Sequence, residues 1–97
     1  MNEPGDRLTV AAQLERWPDG SWHFVTIPPN DEIQYHAFAY PRGFRSVRVE
    51  VTLGEVTWRT SIFPMRAGGY FLPVKADVRR KANVAAGDEL ELELKLL

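Results

Sequence analysis

Leucines and acids alternate without interruption near the end of the chain. Leu90, Leu92, Leu94 and Leu96 fall on one side of an extended backbone, and Glu89, Glu91, Glu93 and Lys95 on the other. The same period of two runs through Leu8, Val10, Ala12 and Leu14. It returns in Val47, Val49, Val51 and Leu53 and again in Val56, Trp58, Thr60 and Ile62, with only Gly54-Glu55 between these two runs. A two-residue loop with glycine first suits a type II′ hairpin turn, with type I′ as the alternative. Counting outward pairs Leu53 with Val56, Val51 with Trp58, Val49 with Thr60 and Val47 with Ile62 on the inner face. The outer face then pairs Thr52 with Thr57, Glu50 with Arg59 and Arg48 with Ser61.

Two further strands complete the set. Trp22 to Ile27 follows the turn Pro18-Asp19-Gly20 and is expected to pair back on the first strand through a loop longer than two residues, ending at Pro28-Pro29. Tyr70 to Val74 follows a bend at Gly68-Gly69. Asn30 before Asp31 and Glu32 predicts the start of a short helix reaching about Tyr40 and stopped by Pro41. Its apolar set Ile33, Ala37 and Tyr40, with Phe38 alongside, would lie on the sheet as a lid. A second short helix is expected from Lys75 to about Asn83, with Val78 and Ala82 inward and Asn83 as a left-handed terminus before the Gly87-Asp88 turn. The fold class is therefore mainly β: a small closed barrel of about six strands with two short helices. Met1–Asp6, polar and containing Pro4 and Gly5, is expected to be a loose tail before a single domain over 7–97.

Composition narrows this picture. A chain of 97 residues forms one domain, large enough to bury roughly 60–65% of its unfolded surface and fold without staples. With no cysteine, disulfides, zinc-thiolate sites and thiol nucleophiles are excluded. No apolar run is long enough to span a bilayer and no charged-then-apolar leader is present, so the expectation is a soluble, cytoplasmic protein with no membrane partner. The net charge of −1 supplies no overall attraction to nucleic acid or anionic lipid.

Candidate chemistry is sparse. Hydrolysis by a nucleophile needs a serine or cysteine beside an oriented histidine, and Ser21, Ser46 and Ser61 lack that context. His23 and His36 are not spaced to share a metal. Asp31 and Glu32 are accounted for as first-turn helix residues, and Glu50 as the cross-strand partner of Arg59. There is no phosphate-cradling glycine loop, dinucleotide fingerprint or aromatic RNA platform, so no catalytic residue, metal or cofactor is assigned. The cations are more open: Arg42, Arg45 and Arg48 approach the central hairpin, Arg66 leaves it, and Lys75, Arg79, Arg80 and Lys81 surround the second helix. Arg42, Arg45, Arg66, Lys75 and Arg79 form a candidate anion-binding surface. Against it stands plain structural charge: Arg79, Arg80 and Lys81 complement the negative end of their own helix, and Arg48 and Arg59 neutralise Glu50 and the acidic ladder. Of the tryptophans, Trp58 is expected inward, Trp22 packed within its strand, and Trp17, beside Pro18, the one exposed stacking contact.

Trp22-His23-Phe24-Val25 running into Ile27-Pro28, then Arg48-Val49-Glu50-Val51 and Trp58 to Pro64, together with Gly69 to Val74, Val78-Arg79 and Gly87 to Leu90, carry a resemblance that spans nearly the whole chain. In these segments the sequence resembles a bacterial family known as domain of unknown function 1905. The resemblance implies a double-split β-barrel and brings no activity, substrate or catalytic residue with it. The last third, with Leu72-Pro73, Arg79 and Gly87-Asp88 in a strand, helix, strand order, is also similar to the half-barrels of AbrB and MazE-type DNA-binding regulators and antitoxins. Those barrels take two swapped chains, whereas this chain supplies both halves and is expected to be a monomer. The functional expectation is a non-catalytic binding or interaction module for an unknown ligand or protein partner. The alternative is a nucleic-acid-binding regulator. A third reading is a small enzyme with a pocket under the lid helix and His36 or Tyr35 as proton donor.

Overall fold

The computed structural model describes residues 7–97, and the expected tail Met1–Asp6 lies outside them. The elements follow in the order β1 (Arg7–Gln13), β2 (Glu15–Arg16), β3 (His23–Ile27), α1 (Asp31–Ala39), β4 (Val47–Leu53), β5 (Val56–Pro64), β6 (Tyr70–Pro73), α2 (Ala76–Ala82) and β7 (Glu89–Leu96), with a 3-10 turn at Gly43–Arg45. The β4–β5 hairpin adopts the expected register at every position from Val47↔Ile62 to Leu53↔Val56. Gly54 has φ +60 while Glu55 does not share a positive φ, which selects type II′ over type I′.

The first strand departs from expectation. It does not pair along its length with β3. Instead β1 lies antiparallel on β7, from Arg7↔Lys95 to Gln13↔Glu89. The hairpin contact shrinks to Glu15↔Phe24 and Arg16↔His23 in β2. A period of two fixes which face points inward and leaves the partner open, and the leucine strand offers β1 a continuous ladder. The chain bends between β1 and β2 at Leu14, whose N–H donates to the Asp88 carbonyl at 2.9 Å while its own carbonyl accepts from Gly87 N–H at 2.8 Å. β1 and β2 are thus one bent strand, serving β7 with its first part and β3 with its last. The sheet order β1-β7-β4-β5-β6-β3-β2 is nearly closed into a barrel by this device, and with the bent strand counted as two it has seven strands among the described residues, in line with the barrel of about six expected.

Side chains of alternate parity fill the interior. Val25, Val49, Val51, Ile62, Leu72, Leu92, Leu94 and Leu96 are all fully buried there. Asn30 caps α1, its Oδ1 accepting from Ile33 N–H at 2.9 Å. The inner face of α1 consists of Ile33, His36 and Ala37, and Tyr40, expected inward, is exposed. His36 occupies the i+3 position that an apolar reading passed over, because an imidazole can be buried once its N–H finds an acceptor. Its Nε2–H donates to the Leu97 carbonyl at 2.8 Å, which ties the helix to the end of β7, and its Nδ1 is buried without a hydrogen-bond partner among the described residues. In α2, Val78 is buried, Ala82 is half-buried, and Asn83 ends the helix in the left-handed region at φ +56, ψ +49. No helix among the described residues is long and apolar enough to cross a membrane.

Candidate functional site

The short segment joining β5 to β6 shapes the site. Gly68 N–H donates to the Met65 carbonyl and Met65 N–H to the Gly69 carbonyl, both at 2.9 Å, closing a tight turn that holds Arg66 and Ala67 outward. Gly69 sits at φ +78, and a Cβ there would collide with the carbonyl oxygen of Ile27. Only glycine allows β6 to start this close to β3. From there Tyr70↔Ile27 through Pro73↔Phe24 pair β6 with β3, and Phe63↔Phe71 pairs β5 with β6.

Alternation along these strands sends Tyr70, Leu72, Val25 and Ile27 inward and Phe24, Phe71 and Phe63 outward. The outward rings make a connected cluster. Trp17 meets Phe24 with centroids 5.7 Å apart, Trp22 meets Phe71 at 5.6 Å, and Phe71 stacks on Phe63 at 5.4 Å. Beside them lies an open groove of about 530 Å³ lined by Trp17, Trp22, Phe24, Phe71, Met65 and Arg66, among others. Among the described residues Arg66 is the only charged side chain on it. Trp17 is 53% and Trp22 55% exposed. Trp17 is thus exposed as expected, whereas Trp22 is a correction: following Pro18-Asp19-Gly20, it stands outside the barrel on the same parity as Phe24. Trp58 is half-buried and packed against the core, as its register requires.

A second, larger groove of about 910 Å³ runs beside α1, with Tyr35, Phe38, Pro41, Arg45 and Tyr70 on its walls. It shares Pro64 and Met65 with the aromatic groove, so the two adjoin. Phe38 is 84% and Phe44 90% exposed. Phe44 and Arg45 both hold positive φ, 59° and 56°, a costly backbone for bulky side chains. Burial raises the Tyr70 phenol above its ordinary pKa of 10.0. Tyr35 opens onto the groove and His36 does not line it, so the two side chains read from the sequence as proton donors are not gathered at one cavity.

The sequence-derived cations fall in different places. Arg45 lines the larger groove and Arg66 the aromatic one. Arg42 is exposed before the 3-10 turn, and Lys75 is exposed at the start of α2. Arg79 is half-buried and its Nη1–H donates to the Val74 carbonyl at 2.7 Å, bracing α2 against the end of β6. No cluster of three or more His, Asp or Glu side chains suited to a metal occurs among the described residues. Missed from the sequence were Trp22, Phe24 and Phe71. Their signal was parity: each occupies the strand face opposite to the aliphatic set Val25, Ile27 and Leu72.

The class defined by these features is a small, nearly closed antiparallel barrel bearing an aromatic strip on its outer wall. The family model for domain of unknown function 1905 matches residues 11–94, and the chain belongs to that family. No curated protein matches it.

Proposed function

We propose that this barrel is a non-catalytic binding module whose contact surface is the aromatic groove on the outer wall of β3, β6 and β5. The observation that carries the reading is the pair of half-exposed indoles, Trp17 and Trp22, standing over a groove where barrel packing requires neither. Aromatic side chains converging on an apolar groove with a single polar anchor are the usual make-up of a ligand site. Arg66 supplies the positive charge of this groove and Arg45 that of the adjoining one, while Arg42, Lys75 and Arg79, expected from the sequence to share the same anion surface, line neither groove. The module works as a monomer on this reading, because one chain contributes all seven strands of the nearly closed sheet.

The test is an unbiased screen of small molecules, peptides and duplex and single-stranded nucleic acid, read on isotope-labelled protein. Ligands are expected to move the indole N–H signals of Trp17 and Trp22 and to leave that of Trp58 in place. Hits that shift only signals remote from the groove, or a screen in which neither indole responds, reject the reading. Binding of duplex DNA that weakens steeply with salt and maps to the basic residues alone would favour a nucleic-acid regulator instead.

A further inference from the structure

We infer that the occupant of this surface is an extended, proline-rich polypeptide segment carrying acidic residues, laid across both grooves; the inference rests on the binding-module reading above. The aromatic groove, about 530 Å³, and the α1 groove, about 910 Å³, meet at Pro64 and Met65, so together they offer one furrow to a ligand that extends past these two residues. At about 3.1 Å per residue, a polyproline II segment of about nine residues reaches about 28 Å, comparable to the barrel, whose extents are 34 × 29 × 20 Å. Phe24 and Phe71 on the floor of the aromatic groove are paired on both sides, Phe24 with Glu15 and Pro73, and Phe71 with Thr26 and Phe63. β6 is flanked by β5 and β3, and β3 by β6 and β2. A peptide lying on these rings therefore meets side chains of paired strands and not an open strand edge.

Polyproline II suits that mode because its backbone needs no internal hydrogen bonds, its conformation is preset, and proline rings pack flat against aromatic faces. Trp17, Trp22, Phe24 and Phe71 supply the faces at one end of the furrow, and Tyr35 and Phe38 at the other. Charge then sets the side chains between the prolines. Each groove has one arginine, Arg66 in the first and Arg45 in the second, and the acid on the wall, Asp31, sits in the first turn of α1, where the helix dipole already favours it. Acidic residues on the peptide complement the two arginines. A nucleic acid strand is disfavoured by the same count: two cations along the furrow and a net charge of −1 offer little to a backbone charged at every nucleotide.

The experiment titrates the full chain with a peptide of about nine residues repeating Pro-Pro-Glu. Parallel titrations use the Pro-Pro-Lys repeat, a Gly-Ser-Glu repeat of equal length and an oligothymidine. The Pro-Pro-Glu peptide is expected to shift the indole signals of Trp17 and Trp22 and the amide of Arg45 together. It should bind about tenfold or more tighter than Pro-Pro-Lys, the factor that ~1.4 kcal/mol of charge complementarity represents. Trp22→Ala should abolish the shifts, and Arg66→Gln should weaken binding several-fold, with β4–β5 amide signals unchanged as proof of folding in both. Equal binding of the Gly-Ser-Glu peptide, tighter binding of Pro-Pro-Lys or oligothymidine, or shifts confined to one groove overturns the inference. If another ligand class moves the Trp17 and Trp22 indoles while Pro-Pro-Glu does not, the binding surface stands and the polypeptide occupant falls.

Discussion

On the wall formed by β1, β7 and β4, outward positions carry charges and threonines that answer one another. Arg7 meets Glu93 at 3.0 Å, Glu50 meets Arg59 of β5 at 3.2 Å, and the Thr52 and Thr57 hydroxyls lie 3.2 Å apart. On the wall formed by β3, β6 and the far end of β5, the same outward positions carry Phe24, Phe71 and Phe63, with Trp22 beside them. Inward, the walls are alike: Leu92, Leu94 and Val49 on one, Val25, Leu72 and Ile62 on the other, all fully buried. Folding therefore asks the same of both halves and explains only the interior. The charged exterior is what a solvated sheet face needs. The aromatic exterior costs solubility without contributing to closure, and that asymmetry is the physical ground for placing function there.

Substitutions put this contrast to the test. The largest effect belongs to the shared interior: Leu94→Ala should lose about 2–5 kcal/mol in denaturant unfolding through transfer and cavity terms. A loss no larger than that of an exterior change would remove the distinction between inside and outside. Next comes the aromatic wall, where Trp22→Ala should cost about 0.5–1.5 kcal/mol, the scale of one ring contact. Calorimetry checks this, and a loss matching Leu94→Ala would make Trp22 part of the core after all. Smaller again is the charged wall: Arg59→Ala should change stability by about 0–1 kcal/mol, and by less in high salt, since Arg59 is largely exposed. The smallest effect appears only in alkali. Burial lifts the Tyr70 phenol above its ordinary value, so the folded state holds that proton more tightly than the unfolded chain. Stability is unaffected at neutral pH and falls as pH rises past about 10. Tyr70→Phe should flatten that decline in a pH series of melting curves.

The sequence was most legible where contacts are local. The β4–β5 register followed from Gly54-Glu55 because a two-residue loop leaves no freedom of pairing, and the caps at Asn30 and Asn83 are decided within a turn. It was least legible where the chain meets itself at long range. Nothing in Leu8, Val10 and Ala12 names β7 over β3 as their partner, because alternation specifies a face and not a neighbour. His36 was hidden for a related reason, since its acceptor, the Leu97 carbonyl, lies at the far end of the chain. The site was half legible. Arg45 and Arg66 follow from charge and do line the grooves, and Trp17 stands exposed as expected, whereas Trp22, expected packed within its strand, and Phe24 and Phe71, not singled out, are marked only by their parity opposite Val25, Ile27 and Leu72.

The position of β7 bears on how a nascent chain becomes this protein. That strand is synthesised after both of its neighbours, β1 and β4, and lies between them. During synthesis the β4–β5 ribbon can form as soon as it clears the ribosome, being joined by a tight loop. The first strand must wait for its leucine-rich neighbour. Until then the growing polypeptide carries an unzipped seam flanked by apolar side chains, and a ribosome stalled before Glu89 would display a product for chaperones to guard or proteases to clear.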